Sequence, residues 1–236
     1  MQDQSSQSSG QLHLFFRHVE TMPNDVERSL LENFSESERT RLDAIKSPGR
    51  RLEYLVSRDL MRDALSGLFD RDPASWIFEE RRGESPLVTN LPPGHNINLS
   101  HSKGLICFAV ADSPMGIDIE ARQHQRDYSR LAKMFMTEDE RRALVDIADP
   151  GAFFYRCWCI KEAFYKAHPK TQQEHLHFTG ISVTELEQDS VWHLLEGQVD
   201  EHYLVAATRD RVPQIHCHYY PGETSWAKPF SRNPGA

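Results

Sequence analysis

Hydrophobic residues follow helical spacing in some stretches and strand spacing in others, which predicts a mixed α+β fold. Apolar residues recur at mostly helical intervals between about 50 and 68 and predict a long helix. Ser35 and Thr137 each begin a Ser/Thr-x-x-Glu pattern, which is typical of a helix start. Further helices are expected over 127–136 and 152–168. Short apolar runs predict strands over 12–19, 76–78, 87–88, 96–99, 105–111, 181–184, 191–194, 202–208 and 214–220.

A strand-like run at 115–120, Met-Gly-Ile-Asp-Ile-Glu, carries two carboxylates. Because side chains alternate along a strand, Asp118 and Glu120 would share one face while the two isoleucines point into the core. Two neighbouring carboxylates repel each other, and Mg²⁺ prefers such oxygen ligands. Gly116 is expected to let the backbone approach a ligand or to adopt a positive φ. The alternative is a half-exposed strand with solvated acids.

A helical run at 158–167, Trp-Cys-Ile-Lys-Glu-Ala-Phe-Tyr-Lys-Ala, carries a third carboxylate about forty residues later. Trp158, Glu162 and Lys166 are each four residues apart and fall on one stripe, with Lys161 on its flank. An exposed Glu–Lys pair is the alternative, but it gives Trp158 no role. We therefore expect the three acids to hold one Mg²⁺ against a diphosphate.

Residues 98–102, Asn-Leu-Ser-His-Ser, follow a predicted strand and are expected to form a turn. Ser100, His101 and Asn98 would there offer a hydroxyl, an imidazole and an amide to phosphate oxygens. The alternative is a turn whose Ser and Asn side chains bond to its own backbone. Histidines also recur at period two in strand-like runs, where solvated faces are favoured over a zinc site; these are His175, His177, His216 and His218.

Composition and charge narrow the class of protein. With 39% hydrophobic and 26% charged residues, the chain reads as a soluble globular protein. A net charge of -8 argues against a nucleic-acid partner, and no apolar run approaches the roughly 20 residues of a membrane helix. The cysteines lack a framework spacing and are expected to be reduced, largely buried thiols, which predicts a cytoplasmic protein; they are Cys107, Cys157, Cys159 and Cys217.

The chain is expected to divide into two halves with loose ends. Residues 1–10 read as a disordered tail, 11–112 as an N-terminal α/β half, 113–220 as a C-terminal α/β half carrying the metal ligands, and 221–236 as a loose C-terminal tail. The hinge between the halves would fall at Asp112-Ser113-Pro114.

Three blocks together resemble the 4′-phosphopantetheinyl transferase family, specifically its larger surfactin-synthetase-activating type. They are 98–102, 116–120 and the Trp-x-x-Lys-Glu-Ala-x-x-Lys run at 158–166. The resemblance implies a monomer of two similar α/β halves in a pseudo-twofold arrangement, with coenzyme A in the cleft between them. It also implies Mg²⁺-dependent transfer of 4′-phosphopantetheine from coenzyme A to a serine of an apo acyl, peptidyl or aryl carrier protein, which releases adenosine 3′,5′-bisphosphate.

The resemblance also implies roles for individual residues. The Mg²⁺ ligands would be Asp118, Glu120 and Glu162, and Lys166 would bind the diphosphate. Coenzyme A phosphates would contact Ser100 and His101, and the 3′-phosphate would contact Arg41, Arg39, Arg50 or Arg51. Glu162 is our candidate for the base that deprotonates the serine, either directly or through a metal-bound water, and Lys161 is our candidate for a group that orients it.

Two departures from the family pattern change the expected nucleotide contacts. The family's Gly-Lys-Pro block reads Gly-Glu-Ser-Pro here, with Ser85 where lysine is expected, so Arg82 or Arg81 would be the substitute. Glu38 occupies a slot that is often basic, which leaves 3′-phosphate binding more dependent on Arg41.

A carrier protein is acidic, so its docking surface should combine basic and apolar residues. Residues 122–142 offer Arg122, Lys133, Met134, Phe135, Met136, Arg141 and Arg142, although Met134 and Phe135 fit a buried core equally well. Two other functions fit parts of the pattern: a metal-dependent phosphodiesterase or nuclease, and a non-catalytic carrier-binding or nucleotide-binding module.

Overall fold

A computed structural model describes residues 10–81, 85–123 and 126–220, and the backbone of 227–231. In chain order its helices and strands are β1 (Gln11–His18), α1 (Asn24–Glu32), α2 (Glu36–Ala44), α3 (Pro48–Phe69), β2 (Phe78–Glu79), β3 (Leu87–Val88), β4 (Asn96–Ser102), β5 (Leu105–Ala111), β6 (Met115–Ala121), α4 (Tyr128–Ala132), α5 (Glu138–Asp146), α6 (Pro150–Lys166), α7 (Lys170–Gln173), α8 (Val183–Gln188), β7 (Trp192–Val199), β8 (His202–Arg209), β9 (Gln214–Tyr220) and β10 (Ala227–Ser231). The mixed α+β class predicted from the sequence is confirmed.

The first sheet has the strand order β4-β5-β1-β9. Strand β5 is antiparallel to both of its neighbours, and β9 joins the far side of β1 in parallel. All seven residues of β5 are buried, because one face packs against the long helix α3 and the other against the second sheet. This explains why its sequence is apolar at every position rather than at alternate ones.

The second sheet repeats this plan with the order β10-β7-β8-β6. The hairpin β7–β8 pairs with β6 as the hairpin β4–β5 pairs with β1, and α6 covers this sheet as α3 covers the first. This recurrence agrees with the two similar halves that the resemblance implies. Strand β9, which was assigned to the C-terminal half, returns to the first sheet, and β10, placed in the loose tail, pairs with β7.

The facing sides of the two sheets share one core. Alternate residues of β1, β5, β6 and β8 form a single buried cluster, which includes Leu14, Cys107, Ile117 and Ile119. The two isoleucines of the first signature therefore point into the core, as predicted. Asp118 and Glu120 consequently lie on the opposite face of β6, toward α6.

Two predicted helix starts are confirmed in detail. Ser35 and Thr137 each accept a hydrogen bond from the backbone N–H three residues later, and the glutamate at that position bonds back to the cap's own N–H. Glu38, the glutamate of the first box, is fully buried and paired with Arg62. Glu38 is therefore a structural residue of α2 and does not stand in a phosphate-binding slot.

Two predicted elements were wrong or incomplete, and one helix was missed. Residues 181–184, predicted as a strand, lead into helix α8, because Ser182 accepts the N–H of Glu185 and starts a helix. The helix predicted over 127–136 is only the short α4, after which the chain turns toward Thr137. Helix α1 follows Pro23 and was not predicted. No described helix is long and apolar enough to cross a membrane.

Candidate active site at the junction of β6 and α6

Strand β6 and helix α6 approach each other at backbone distance. A methyl group built on Gly116 would lie 2.1 Å from the carbonyl oxygen of Ala163 and 2.5 Å from the nitrogen of Ala167. Gly116 does not have a positive φ. The positive φ that was one of the two expectations for Gly116 is therefore wrong, and the close approach that this glycine permits in the structure is that of helix α6.

This close approach places the acids of both signatures together. Lys166 Nζ lies 2.7 Å from Asp118 Oδ1 and 3.8 Å from Glu162 Oε2. Trp158, on the same stripe of α6, lies close enough to Glu120 to lower the pKa of that carboxyl. The structure thus brings Asp118, Glu120, Glu162 and Lys166 to one place.

Mutual repulsion and burial shape the charges of this cluster. Burial raises the pKa of Glu162; Lys166 opposes this shift, and the carboxylates of Asp118 and Glu120 add to it, so that the pKa is raised overall. Burial also raises the pKa of Glu120. Burial opposes the charge of Lys166, but Asp118 and Glu162 raise its pKa overall. Lys166 therefore acts as the counter-ion of the acids.

The cluster fits a divalent cation in its chemistry. Asp118 Oδ2 is buried and receives no hydrogen bond from an N–H or O–H group of the described residues. Its near neighbour Cys159 remains a thiol, because burial and the adjacent acids hold the pKa of that thiol well above its usual range. Three carboxylates are the donors that Mg²⁺ prefers.

The ligand set is not assembled around a metal position. Within the described residues, no group of three His, Cys, Asp or Glu side chains is arranged to hold an ion. Lys166 is paired with Asp118 where a cation would compete for the same oxygen. A metal would therefore require Lys166 to leave Asp118 and the acids to close together.

Residues 98–102 belong to strand β4, so the turn predicted for this stretch is wrong. Their alternate polar side chains bond to the backbone of β6: Ile117 N donates to Asn98 Oδ1 at 3.2 Å, Ile119 N to Ser100 Oγ at 3.2 Å, and Ala121 N to Ser102 Oγ at 3.3 Å. These side chains replace the backbone ladder that would otherwise join the two sheets. The period-two polar pattern was the available signal in the sequence.

Two of these hydroxyls reach the acids themselves. Ser100 Oγ donates to Asp118 Oδ1 at 3.0 Å, and Ser102 Oγ donates to Glu120 Oε2 at 2.7 Å. Ser100 is buried, so its hydroxyl is directed to Asp118 here and not toward an open surface. His101, which points to the other side of β4, is half exposed and lies 3.2 Å from Glu53 of α3.

Lys161 does not lie at this site, and the prediction that it orients Glu162 is wrong. Its Nζ is fully buried, 2.5 Å from Glu140 Oε2, and it also donates to the carbonyl oxygens of Phe135 and Phe178. Burial lowers the pKa of Lys161, and the bond to Glu140 opposes that shift. One residue of helix turns the side chain by about 100°, so Lys161 ties α6 to α5 instead.

The predicted nucleotide-binding arginines fall into two groups. Arg39 donates to the carbonyl oxygens of Leu31 and Phe34 at the end of α1, and Arg51 donates to that of Leu42 at the end of α2. These two arginines are occupied as helix caps. Arg41 and Arg50 are exposed and make no hydrogen bond or ion pair with a described residue.

The remaining candidate in this region lies outside the described residues. It is Arg82, which falls between the described residues 81 and 85. Arg81 is exposed and pairs with Glu79 at 3.6 Å.

The predicted carrier surface is partly core. Phe135 and Met136 are buried, whereas Met134 is 76% exposed. Arg122 pairs with Asp149, and Arg142 pairs with acids of its own helix. Val145 and Ile147, on and after α5, are exposed and extend the apolar surface beyond the predicted range.

The histidines of β1 and β9 form a stacked cluster, not a solvated face. His13 stacks on His216 with ring centroids 4.6 Å apart, and its Nδ1 lies 3.2 Å from His218 Nε2. Burial, followed by the two neighbouring imidazoles, lowers the pKa of His13 to about 4. His175 and His177 are exposed and far along the chain from this cluster.

The fold and the site define a two-half α+β protein with an acid–lysine centre where its halves meet. Comparison with known proteins agrees: residues 114–216 match the model of the 4′-phosphopantetheinyl transferase superfamily. Over this part the chain is similar to that superfamily, and the resemblance seen in the motifs is confirmed.

Bacterial relatives carry the same family name. The chain is 33% identical over 116 residues to 4′-phosphopantetheinyl transferase psf-1 of Bacillus pumilus, which is 48% of each chain. It is 30% identical over 118 residues to 4′-phosphopantetheinyl transferase Sfp of Bacillus subtilis strain 168, which is 49% of this chain and 51% of that one. The matched segment thus spans about half the length of the curated relatives.

Proposed function

We propose that this protein transfers the 4′-phosphopantetheine group of coenzyme A to a serine hydroxyl of an apo carrier protein, in a Mg²⁺-dependent reaction that releases adenosine 3′,5′-bisphosphate. The observation that carries the proposal is the gathering of Asp118, Glu120, Glu162 and Lys166 at the β6–α6 junction. This centre lies inside the segment that matches the superfamily. The relatives' names support the same activity.

The acids are the groups that would hold the metal. Mg²⁺ bound there would neutralise a diphosphate and polarise it toward attack. Asp118 offers an oxygen that has no N–H or O–H donor among the described residues, and Glu120 and Glu162 lie close enough to interact with it electrostatically. These residues would supply the ligands from a strand and a helix that Gly116 holds together.

Lys166 would change partners when substrate binds. In the structure its Nζ balances Asp118 and Glu162. A bound diphosphate offers the same ammonium group a stronger anion, so Lys166 would donate to phosphate oxygens as negative charge develops on them. His101 lies on the other face of β4, 3.2 Å from Glu53 of α3, so it would contact a coenzyme A phosphate outside the acid cluster.

Glu162 would take the proton from the carrier serine. Serine is a weak nucleophile at neutral pH and needs a base. A carboxylate whose pKa is raised by burial and by neighbouring acids is a better base than an exposed one. Glu162→Gln should abolish turnover while coenzyme A binding survives in part, since the cationic contacts remain. Full activity in this variant would exclude Glu162 as the base.

Arg41 and Arg50 remain the candidates for the 3′-phosphate of coenzyme A, because both are exposed and unengaged by described residues. The acidic carrier would dock on the surface formed by Lys133, Met134 and Arg141, beside α5. Charge reversal at Arg141 should raise the Michaelis constant for the carrier and leave that for coenzyme A unchanged. The opposite pattern would remove this surface from the proposal.

The direct test is the intact mass of a panel of apo carrier proteins after incubation with coenzyme A and the protein. We expect a gain of one phosphopantetheine group with Mg²⁺ and none with a chelator present. No gain on any acyl, peptidyl or aryl carrier would contradict the proposal. A plasmid-nicking assay run beside it would detect the competing nuclease activity.

A further inference from the structure

A hydroxyl from the first sheet is bonded to an acid of the second. Ser102 Oγ, at the end of β4, donates to Glu120 Oε2 at 2.7 Å and accepts the N–H of Ala121 at 3.3 Å. The bond from Ala121 uses one of the two lone pairs of the hydroxyl oxygen, and the single proton of the hydroxyl is donated to the carboxylate, which only accepts. The bond thus has a defined direction and fixes one oxygen of Glu120.

Ser102 is itself held in place from a third element. The imidazole Nε2 of His202, on β8, lies 2.9 Å from the carbonyl oxygen of Ser102. Because a carbonyl only accepts, His202 carries its proton on Nε2 in this contact. His202 is buried, so the end of β4 is fixed against the second sheet by both its backbone and its side chain.

Glu120 has few other partners to set its rotamer. Ser102 donates the hydrogen bond that its carboxylate receives from the described residues, while Asp118, Trp158 and Lys166 affect the pKa of that carboxyl. Removing the Ser102 hydroxyl would therefore leave a flexible glutamate without that restraint. Glutamate has three side-chain torsions, and such freedom must be lost again when a metal binds.

We infer that Ser102 is a positioning residue, whose hydroxyl presents Glu120 to the divalent cation of the proposed reaction. The inference rests on the proposed function, because it acts through one of the acids assigned to the metal. It also gives a reason for the polar side chains of β4: the strand of one half positions a ligand carried by the other.

The test compares matched variants by their affinity for Mn²⁺ in the presence of coenzyme A, followed by the electron paramagnetic resonance of the free ion. Ser102→Ala should bind Mn²⁺ about 10–100-fold more weakly, the usual effect of removing a group that orients a metal ligand. Ser102→Thr keeps the hydroxyl and should stay within about threefold of the unchanged protein. Ser113→Ala is the control, since Ser113 is also buried and its hydroxyl has no partner among the described residues.

A second comparison separates positioning from loss of stability. If Ser102 acts through Glu120, then Ser102→Ala should lower Mn²⁺ affinity no further in a Glu120→Gln background. Thermal melting of each variant establishes that it is folded. Should Ser102→Ala fail to fold, Ser102→Cys keeps the shape with a much weaker donor and should show the same direction of change.

The outcomes distinguish this inference from the proposed function. Equal Mn²⁺ affinity in Ser102→Ala and Ser113→Ala, or no Mn²⁺ binding by the unchanged protein, would overturn the inference. Weakened binding in Ser102→Ala, with rescue by Ser102→Thr, supports it whether or not a carrier gains mass. Failure of the carrier assay alone would overturn the proposed transfer and leave the role of Ser102 intact.

Discussion

Replacing Gly116 by alanine is the sharpest test of how the centre is built. The added Cβ would lie 2.1 Å from Ala163 O, 2.5 Å from Ala167 N and 2.9 Å from the carbonyl carbon of Lys166. All three are backbone atoms of α6 or its cap, so no side chain can rotate out of the way. Restoring an ordinary contact requires the helix to move away from β6 by about 1 Å.

Two consequences follow from that shift. Overpacking costs about 1–3 kcal/mol, and a clash with backbone belongs at the upper end of that range. The shift also moves Glu162 and Lys166 away from Asp118, and a misplacement of about 1 Å can reduce turnover by about 100-fold. Gly116→Ala should therefore lose about 3 kcal/mol of stability and most of its transfer activity.

Urea unfolding followed by circular dichroism measures the first effect, and carrier modification measures the second. Gly67→Ala is the matched control, because Gly67 lies in α3 with nothing within 4 Å of the added methyl group. Alanine should stabilise that helix by up to about 1 kcal/mol. If the free energy of unfolding of Gly116→Ala lies within about 0.5 kcal/mol of that of the unchanged protein, and the variant retains full activity, then β6 and α6 do not pack at backbone distance.

The remaining predictions concern residues away from the acid cluster. Lys161→Met should cost about 3–5 kcal/mol in urea unfolding, because it leaves the Glu140 carboxylate buried without its cation. His13, whose pKa is lowered to about 4, binds its proton less well in the folded state than in the unfolded one. His13 should therefore lower the stability of the folded state at low pH. This effect should be absent above about pH 6.5 and should grow as the pH falls toward 4, where it should reach about 1 kcal/mol, since His13 is only partly buried. His13→Gln should remove this part of the pH dependence. Arg41→Ala should raise the Michaelis constant for coenzyme A without lowering stability, whereas Arg39→Ala should lower stability through the end of α1.

Each of these predictions has a clear contrary result. Unchanged stability in Lys161→Met would mean that the buried pair does not exist. His175→Gln, at an exposed site, is the control for His13→Gln. If stability depends on pH in the same way in both variants, the stacked histidine cluster does not lower the pKa of His13. Equal effects of Arg39→Ala and Arg41→Ala on the Michaelis constant for coenzyme A would contradict the assignment of Arg39 to the end of α1 and of Arg41 to coenzyme A binding.

Local sequence patterns were sufficient for several elements. The capping boxes at Ser35 and Thr137 depend on contacts within four residues, so the pattern contains the whole interaction. The stripe of Trp158, Glu162 and Lys166 depends only on helical geometry. Helix α8 was missed because its apolar and β-branched start resembles a strand, and the cap at Ser182 was the decisive signal.

Partners distant in sequence were out of reach of the same reasoning. Lys161 and Glu162 are neighbours, and nothing local shows that one meets a buried glutamate of α5 while the other faces the acids of β6. The role of Gly116 likewise depends on a helix that begins 34 residues later, at Pro150. Ser102 was read as part of a turn because its partner Glu120 belongs to the other sheet.

The central claim is that Asp118, Glu120 and Glu162 hold one divalent cation beside Lys166. The most direct measurement is a crystal structure with Mn²⁺ and coenzyme A, in which anomalous scattering locates the metal. We expect a single peak within about 2.0–2.3 Å of a carboxylate oxygen from each acid, with Lys166 moved from Asp118 to a phosphate. A peak elsewhere, or Lys166 still paired with Asp118 beside bound coenzyme A, would contradict the account.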